Sequence, residues 1–170
     1  LGRFRTVHFS VEDVAVLNGG PASRRRFLDV SLCQLEPAYV GWLREFVDAL
    51  RQRNQLLVME RRGPVADEAE WSAWEEILAR AGLMLDVRRR ALCEELSGQI
   101  RSLGSEVDRE LKPELQYPAA DRDSRGEADT VERRIERLAR SRASDRRVGW
   151  TMDGPHRARL RCAIGGEELS

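Results

Sequence analysis

Apolar residues recur along most of this chain at three- and four-residue spacing, the period of a helix that buries one face. Phe27, Leu28, Leu32 and Leu35 form one such stripe, predicting a helix capped by Ser23 and ended near Pro37. Val40, Leu43, Phe46, Val47, Leu50 and Leu57 predict a second helix, from about Ala38 to Met59. The longest pattern runs from about Asp67 to Val107, with Trp74, Leu78, Ala81, Leu85, Leu92, Leu96, Leu103 and Val107 in a near-heptad stripe. It opens with a cluster of acids, which suits the positive end of a helix dipole. Unbroken, it would be about 60 Å long, and Gly82, Gly98 and Gly104 are the points where it is expected to bend or split. A fourth, more charged helix is expected from Thr130 to about Arg142.

Elsewhere the pattern changes. "RFRTVHF" (Arg3 to Phe9) alternates and predicts a strand, and "SVEDVAVL" a short helix opened by Ser10. "ELQYP" (Glu114 to Pro118) predicts another strand. "VGWTMDGP" and "ARLRCAI" predict two strands around a turn at Gly154-Pro155. The expected fold is α+β and mostly α-helical, with a helical lobe inserted into a small β element built from the terminal strands.

Composition refines this picture. The 170 residues carry no formal net charge, so nothing in bulk advertises a nucleic-acid binder. Local charge is uneven: residues 1–62 hold ten arginines against seven acids, and residues 63–87 one arginine against six acids. Lys112 is the only lysine. The cysteines Cys33, Cys93 and Cys162 are odd in number and far apart, which argues against a disulfide framework and fits a reducing, cytoplasmic setting. No apolar run approaches a membrane span. The chain begins at Leu1 without a methionine and reads as a piece of something longer.

Searches for chemistry return mostly negatives. A phosphate-binding Walker A loop needs glycines followed by lysine and a hydroxyl residue. Here the lysine sits in "ELKPEL" with no glycine before it. No apolar run ending in paired acids offers a magnesium site. His8 and His156 lack metal-ligand spacing to any other donor. Glu12 with Asp13, Glu94 with Glu95 and Glu167 with Glu168 are adjacent carboxylates that read as solvated faces. No arrangement meets the requirements of a self-contained active site.

Two stretches rise above this background. In "LNGGPASRRRFLD", Arg24, Arg25 and Arg26 stand at a helix start, where the dipole disfavours cations by about 0.3–1 kcal/mol each. One reading pairs them with Asp29 or nearby acids on the surface. The other makes them an anion site, with helix amides and guanidinium groups around a phosphate. Consecutive helical positions fan around the axis, so at least one of the three is expected to pack or to pair with Asp29. In "GPHRARL", Gly-Pro is expected to form a tight turn that presents His156 and Arg157, either as surface residues or to a phosphate or partner.

Together, "FSVEDVAVLNGGPASRRRFLD", "RQRN" (Arg51 to Asn54) and "GPHRARL" resemble, in order and separation, the RecF family of bacterial DNA replication and repair proteins. Val11 stands where that family commonly has proline, and Ala158 and Arg159 where it commonly has one or two aspartates. The resemblance implies an ABC-type, SMC-like ATPase head of which this chain is the middle. Residues 1–22 would end lobe I, 23–147 would form the helical lobe II, and 148–170 a β-hairpin leading toward a signature motif. It further implies ATP and magnesium as cofactors of the longer parent, neither held by this segment alone, which would be catalytically inactive. Implied partners are single- and double-stranded DNA, RecR and RecO, RecA indirectly, and a second copy in an ATP-dependent homodimer; the setting is the SOS response, away from membranes. Arg24, Arg25, Arg26, Arg51 and Arg53 become candidates for DNA or internal phosphate contacts. His156 and Arg157 become candidates for a nucleotide-proximal or dimer interface. The competing reading is a helical protein–protein interaction module without nucleotide chemistry.

Overall fold

A computed structural model describes residues 19–63, 67–107, 112–118 and 129–169. The strand expected at Arg3–Phe9 and the short helix after it lie outside the described residues. Among the described residues there are four helices: α1 (Pro21–Leu35), α2 (Pro37–Glu60), α3 (Glu68–Val107) and α4 (Val131–Val148). Three short strands among the described residues, β1 (Pro113–Gln116), β2 (Arg161–Ile164) and β3 (Glu167–Glu168), form an antiparallel sheet in the order β1-β2-β3.

Several elements differ from the sequence expectation for identifiable reasons. Ser23 does not cap α1. The cap position is Gly20, with no side-chain cap bond, and Pro21 takes the first helical turn, where its fixed φ and missing N–H cost nothing. α3 runs unbroken for 40 residues. Gly82 serves close packing instead of a bend: a methyl group there would lie 3.3 Å from the Phe46 ring and 3.3 Å from Nη1 of Arg134. α4 does start after Thr130, whose side chain accepts from the Arg133 amide, but it continues to Val148 and ends on left-handed Gly149.

The sheet is also built differently. Among the described residues it joins a mid-chain strand to a C-terminal hairpin, with Pro113 opposite Ile164 and Gln116 opposite Arg161. The hairpin turn is Gly165-Gly166, not Gly154-Pro155. Both glycines have positive φ (59° and 88°), as a two-residue turn matched to strand twist requires. Gly154-Pro155 instead opens a local turn closed by the Arg157 amide on the Gly154 carbonyl (2.9 Å).

The chain divides into two compact units. Unit one comprises residues 1–37, 88–118 and 158–170. Its buried side chains include Leu28, Leu32, Leu92, Cys93, Tyr117, Leu160 and Cys162. Ser97 on α3 donates to the Leu115 carbonyl of β1 at 2.6 Å, fixing helix to sheet. Desolvation pushes all three thiols up, and Cys93, which also feels Cys162, is pushed up to about 12.

Unit two comprises residues 38–87 and 119–157. Leu56, Leu57 and Trp71 form an apolar cluster with Trp74 packed against it. Beside it lies a buried ion network. Arg53 on α2 is 0% exposed. Its Nε donates to Glu75 (3.1 Å), Nη1 to Asp145 and Thr151 (2.8 Å each), and Nη2 to the Leu138 carbonyl (2.7 Å). Arg142 closes the other side of Glu75 through Nε (3.0 Å) and Nη2 (2.6 Å) and also reaches Glu68. Both guanidinium groups lie over the Trp71 ring, at 5.7 and 4.9 Å. A second buried cation, Arg134, is held by Asp129 and Asp86.

Two expectations follow. Arg53→Ala leaves Asp145 buried without its cation and should cost about 3–5 kcal/mol. Arg51→Ala, on the exposed side of the same helix, should stay within about 0.5 kcal/mol. Urea denaturation of both variants reads this difference as midpoint shifts. Separately, a thiol reagent at pH 8 should modify half-buried Cys33 well before Cys93, whose thiolate fraction is roughly a thousandfold below that of an ordinary thiol. Mass mapping of the labelled peptides shows the order, and early labelling of Cys93 would contradict it.

Candidate functional site

The seven candidate residues fall into two groups. In unit one, Arg24 is buried and spends its guanidinium on backbone: Nη1 donates to the Leu160 carbonyl (3.2 Å) and Nη2 to that of Leu169. Arg25 donates to the carbonyl of Ala158 (2.8 Å). These two cations leave the helix start and bind partial negative charge on the chain after the "GPHR" turn, which offsets their mismatch with the dipole. Arg26 is exposed.

Asp29 reaches across to α3. It holds Arg89 in a two-pronged contact (2.8 and 2.9 Å), and Arg89 in turn reaches the Tyr117 hydroxyl (3.3 Å). The expectation that at least one of the three arginines packs or pairs with Asp29 is met by buried Arg24, and Asp29 itself bridges α1 to α3 through Arg89.

In unit two the "RQRN" run splits by face. Arg51 is exposed and pairs with exposed Asp48 (3.0 Å). Arg53 is the centre of the buried network. Asn54, quoted in the motif but not singled out, accepts from both the amide and the hydroxyl of Thr151 (2.8 Å each). The Thr151 carbonyl faces Nε2 of His156 at 3.1 Å, and the Phe46 ring lies 5.9 Å from the imidazole, centroid to centroid. A carbonyl only accepts, so Nε2 carries a proton. Arg157 is exposed, with Nη2 3.9 Å from the Met152 sulfur.

The electrostatics follow the geometry. Hydrogen bonding to Glu75 raises the pKa of Arg142 far above its ordinary value against the opposing effect of burial. Burial works against the charge on Arg134, and Asp86 and Asp129 outweigh it, so its pKa is raised as well. These cations are locked in the charged state and serve structure, not proton transfer.

Sequence reasoning missed Glu75, Asp145, Thr151 and Asn54. Glu75 falls on the same face as Trp71, Leu78 and Ala79, and Asp145 seven residues after Leu138. An acid at a core position calls for a buried cation, and that was the available signal.

Among the described residues, no three His, Cys, Asp or Glu side chains gather as metal ligands. Also among the described residues, no helix is long and apolar enough to cross a membrane.

No protein-family model matches the chain. Individual proteins do. It is 39% identical over 166 residues to the DNA replication and repair protein RecF of Anaeromyxobacter dehalogenans (strain 2CP-C), covering 95% of this chain and 43% of that protein. It is 34% identical over 172 residues to RecF of Symbiobacterium thermophilum, covering 99% and 45%. RecF of Herpetosiphon aurantiacus is 36% identical over 177 residues, covering 99% and 43%. The fold is similar to two solved structures of the recombination mediator protein RecF in the RecFOR pathway, one described with ATP (TM-score 0.86) and one with ATPrS (0.85). Each is 27% identical and covers 99% of this chain and 45% of the other. The chain thus spans less than half the length of the relatives it matches. On sequence across nearly all of its residues, and on fold, it belongs to the RecF family of DNA replication and repair proteins.

Proposed function

We propose that this chain is the lobe II portion of a RecF-type ATPase whose longer parent binds DNA in an ATP-dependent way and helps direct RecA loading at gaps. The observation that carries the proposal is the end-to-end match, in sequence and fold, to RecF proteins described with ATP and in the RecFOR pathway. RecR and RecO are the partners this reading carries over, together with ATP-dependent self-association of the parent. ATP and magnesium do not fit the residues of this segment taken alone, because Lys112 has no glycine loop before it. The segment's part in the reaction is to shape and present surfaces.

Geometry sorts the candidate residues by role. Arg26 and Arg51 are exposed and suit phosphate contacts. Arg24 and Arg53 are buried and suit an architectural role. Arg157 is exposed on a fixed turn and suits a nucleotide-proximal or dimer surface.

A second reading rests on α2. Val47, Val58 and Met59 are exposed, and with Leu50, Arg51 and Gln55 they line an open groove of about 650 Å³. An apolar strip of this kind favours a protein contact.

One experiment separates the readings in the longer chain containing this segment. If Arg26 and Arg51 touch duplex phosphates, each change to alanine should flatten the log–log salt dependence of ATP-stimulated DNA binding by about 0.9. An unchanged slope removes that residue from the DNA face. If the strip is a protein contact, Val47→Asp with Met59→Asp should abolish co-purification of RecR or RecO and leave the salt slope as it was. Retained co-purification sinks that reading.

A further inference from the structure

We infer that Arg53 and Asn54 are positioning residues for the turn Gly154–Arg157, acting on it through Asp145 and Thr151, so that "RQRN" and "GPHR" form one mechanical device. The chain of contacts is continuous. Nη1 of Arg53 donates to both the Asp145 carboxylate and the Thr151 hydroxyl (2.8 Å each). The Thr151 hydroxyl donates its own hydrogen bond to Asn54 Oδ1 (2.8 Å). That same oxygen takes the Thr151 amide (2.8 Å). Thr151 is thereby held through its amide and through both capacities of its hydroxyl. The other oxygen of Asp145 accepts from the Met152 amide (3.2 Å), fixing the next residue.

What is being held is the carbonyl of Thr151. It receives Nε2–H of His156 (3.1 Å), five residues later, and so closes the turn into a loop with a fixed imidazole. Gly154 has φ 133°, and a Cβ placed on it would lie 3.2 Å from Nδ1 of His156, so the ring crowds the space a side chain would need. Arg157 follows directly, its amide bonded to the Gly154 carbonyl (2.9 Å). Thr151 is buried, so its amide and hydroxyl must be satisfied, and here every partner that satisfies them is a side chain of "RQRN". These contacts restrain orientation, which is what a surface arginine needs if it is to meet an anion at a set place.

The coupling stands on this geometry alone; only the statement that the turn serves a nucleotide-dependent step rests on the proposed function. The test therefore has two arms. The first uses long-range nitrogen–proton NMR of His156, with His8 as the other histidine signal. The native chain should show Nε2 protonated as a single tautomer. Asn54→Ala, which removes the shared acceptor, should give signals averaged over both ring nitrogens. Asn54→Asp, which keeps an accepting oxygen, should restore the native pattern. Thr151→Val is the second variant: it keeps the amide bond and loses the hydroxyl bridge, so it remains informative if Asn54→Ala does not fold. An unchanged His156 signature in a folded Asn54→Ala or Thr151→Val variant overturns the coupling. The second arm measures ATP-dependent DNA binding by the longer chain. Asn54→Ala should match the loss caused by Arg157→Ala, with Asn54→Asp retaining binding. A positive first arm with a null second arm keeps the coupling and discards the turn's nucleotide-dependent role.

Discussion

A guanidinium group with no exposure to water must be fully paired or the fold cannot hold it. Arg53 imposes that condition on unit two. Satisfying it requires Glu75 from α3, Asp145 and the Leu138 carbonyl from α4, and Thr151 from the segment after α4. One side chain therefore fixes where three other stretches of chain sit. Such a pair adds little net stability over an apolar core of the same shape, since desolvation consumes much of the attraction. Its consequence is specificity: any other register of α4 strands a charge. Arg142 extends the constraint, because Glu75 sits between two cations and both lie over Trp71.

Unit one meets a related constraint in a different way. Its arginines at the start of α1 have no acid in the first turn to answer them. Arg24 and Arg25 turn to backbone carbonyls at Leu160, Leu169 and Ala158. A carbonyl carries only a partial charge, but two cations hold the chain at Ala158 and on both sides of the paired hairpin, at Leu160 and Leu169. The turn at Gly154–Arg157 thus lies in the sequence between Thr151, held within unit two, and Ala158, held within unit one.

Much of the fold was legible because apolar stripes report helices directly. α2 and α3 begin and end within a residue of the bounds expected for them, about Ala38–Met59 and Asp67–Val107. α4 was read short because its last turns, past Arg142, carry no apolar stripe, and the side chain that goes inward there is an acid, Asp145. The hairpin was misplaced because Gly154-Pro155 is the louder turn signal, while Gly165-Gly166 supplies the positive φ angles the hairpin needs. The site was the least legible part. Arg51 and Arg53 look equivalent in "RQRN", yet two helical steps carry a side chain about 200° round the axis. One therefore meets water and the other the core, and only the acids on α3 and α4 decide which.

That geometry also bears on the near-absence of lysine. All but one of the chain's 29 basic residues is arginine, which composition alone leaves open as a simple nucleotide bias in the gene. The buried positions cannot be neutral to that choice. Arg53 uses Nε, Nη1 and Nη2 toward acceptors on different elements, and Arg89 grips both oxygens of Asp29 while touching Tyr117. A lysine ammonium has three donors on one atom and cannot span such acceptors. Whatever set the composition, the planar fork is what lets one cation join several elements here. The preference for arginine is a structural requirement at Arg24, Arg53, Arg89 and Arg134, and carries no such weight at exposed sites such as Arg26 and Arg51.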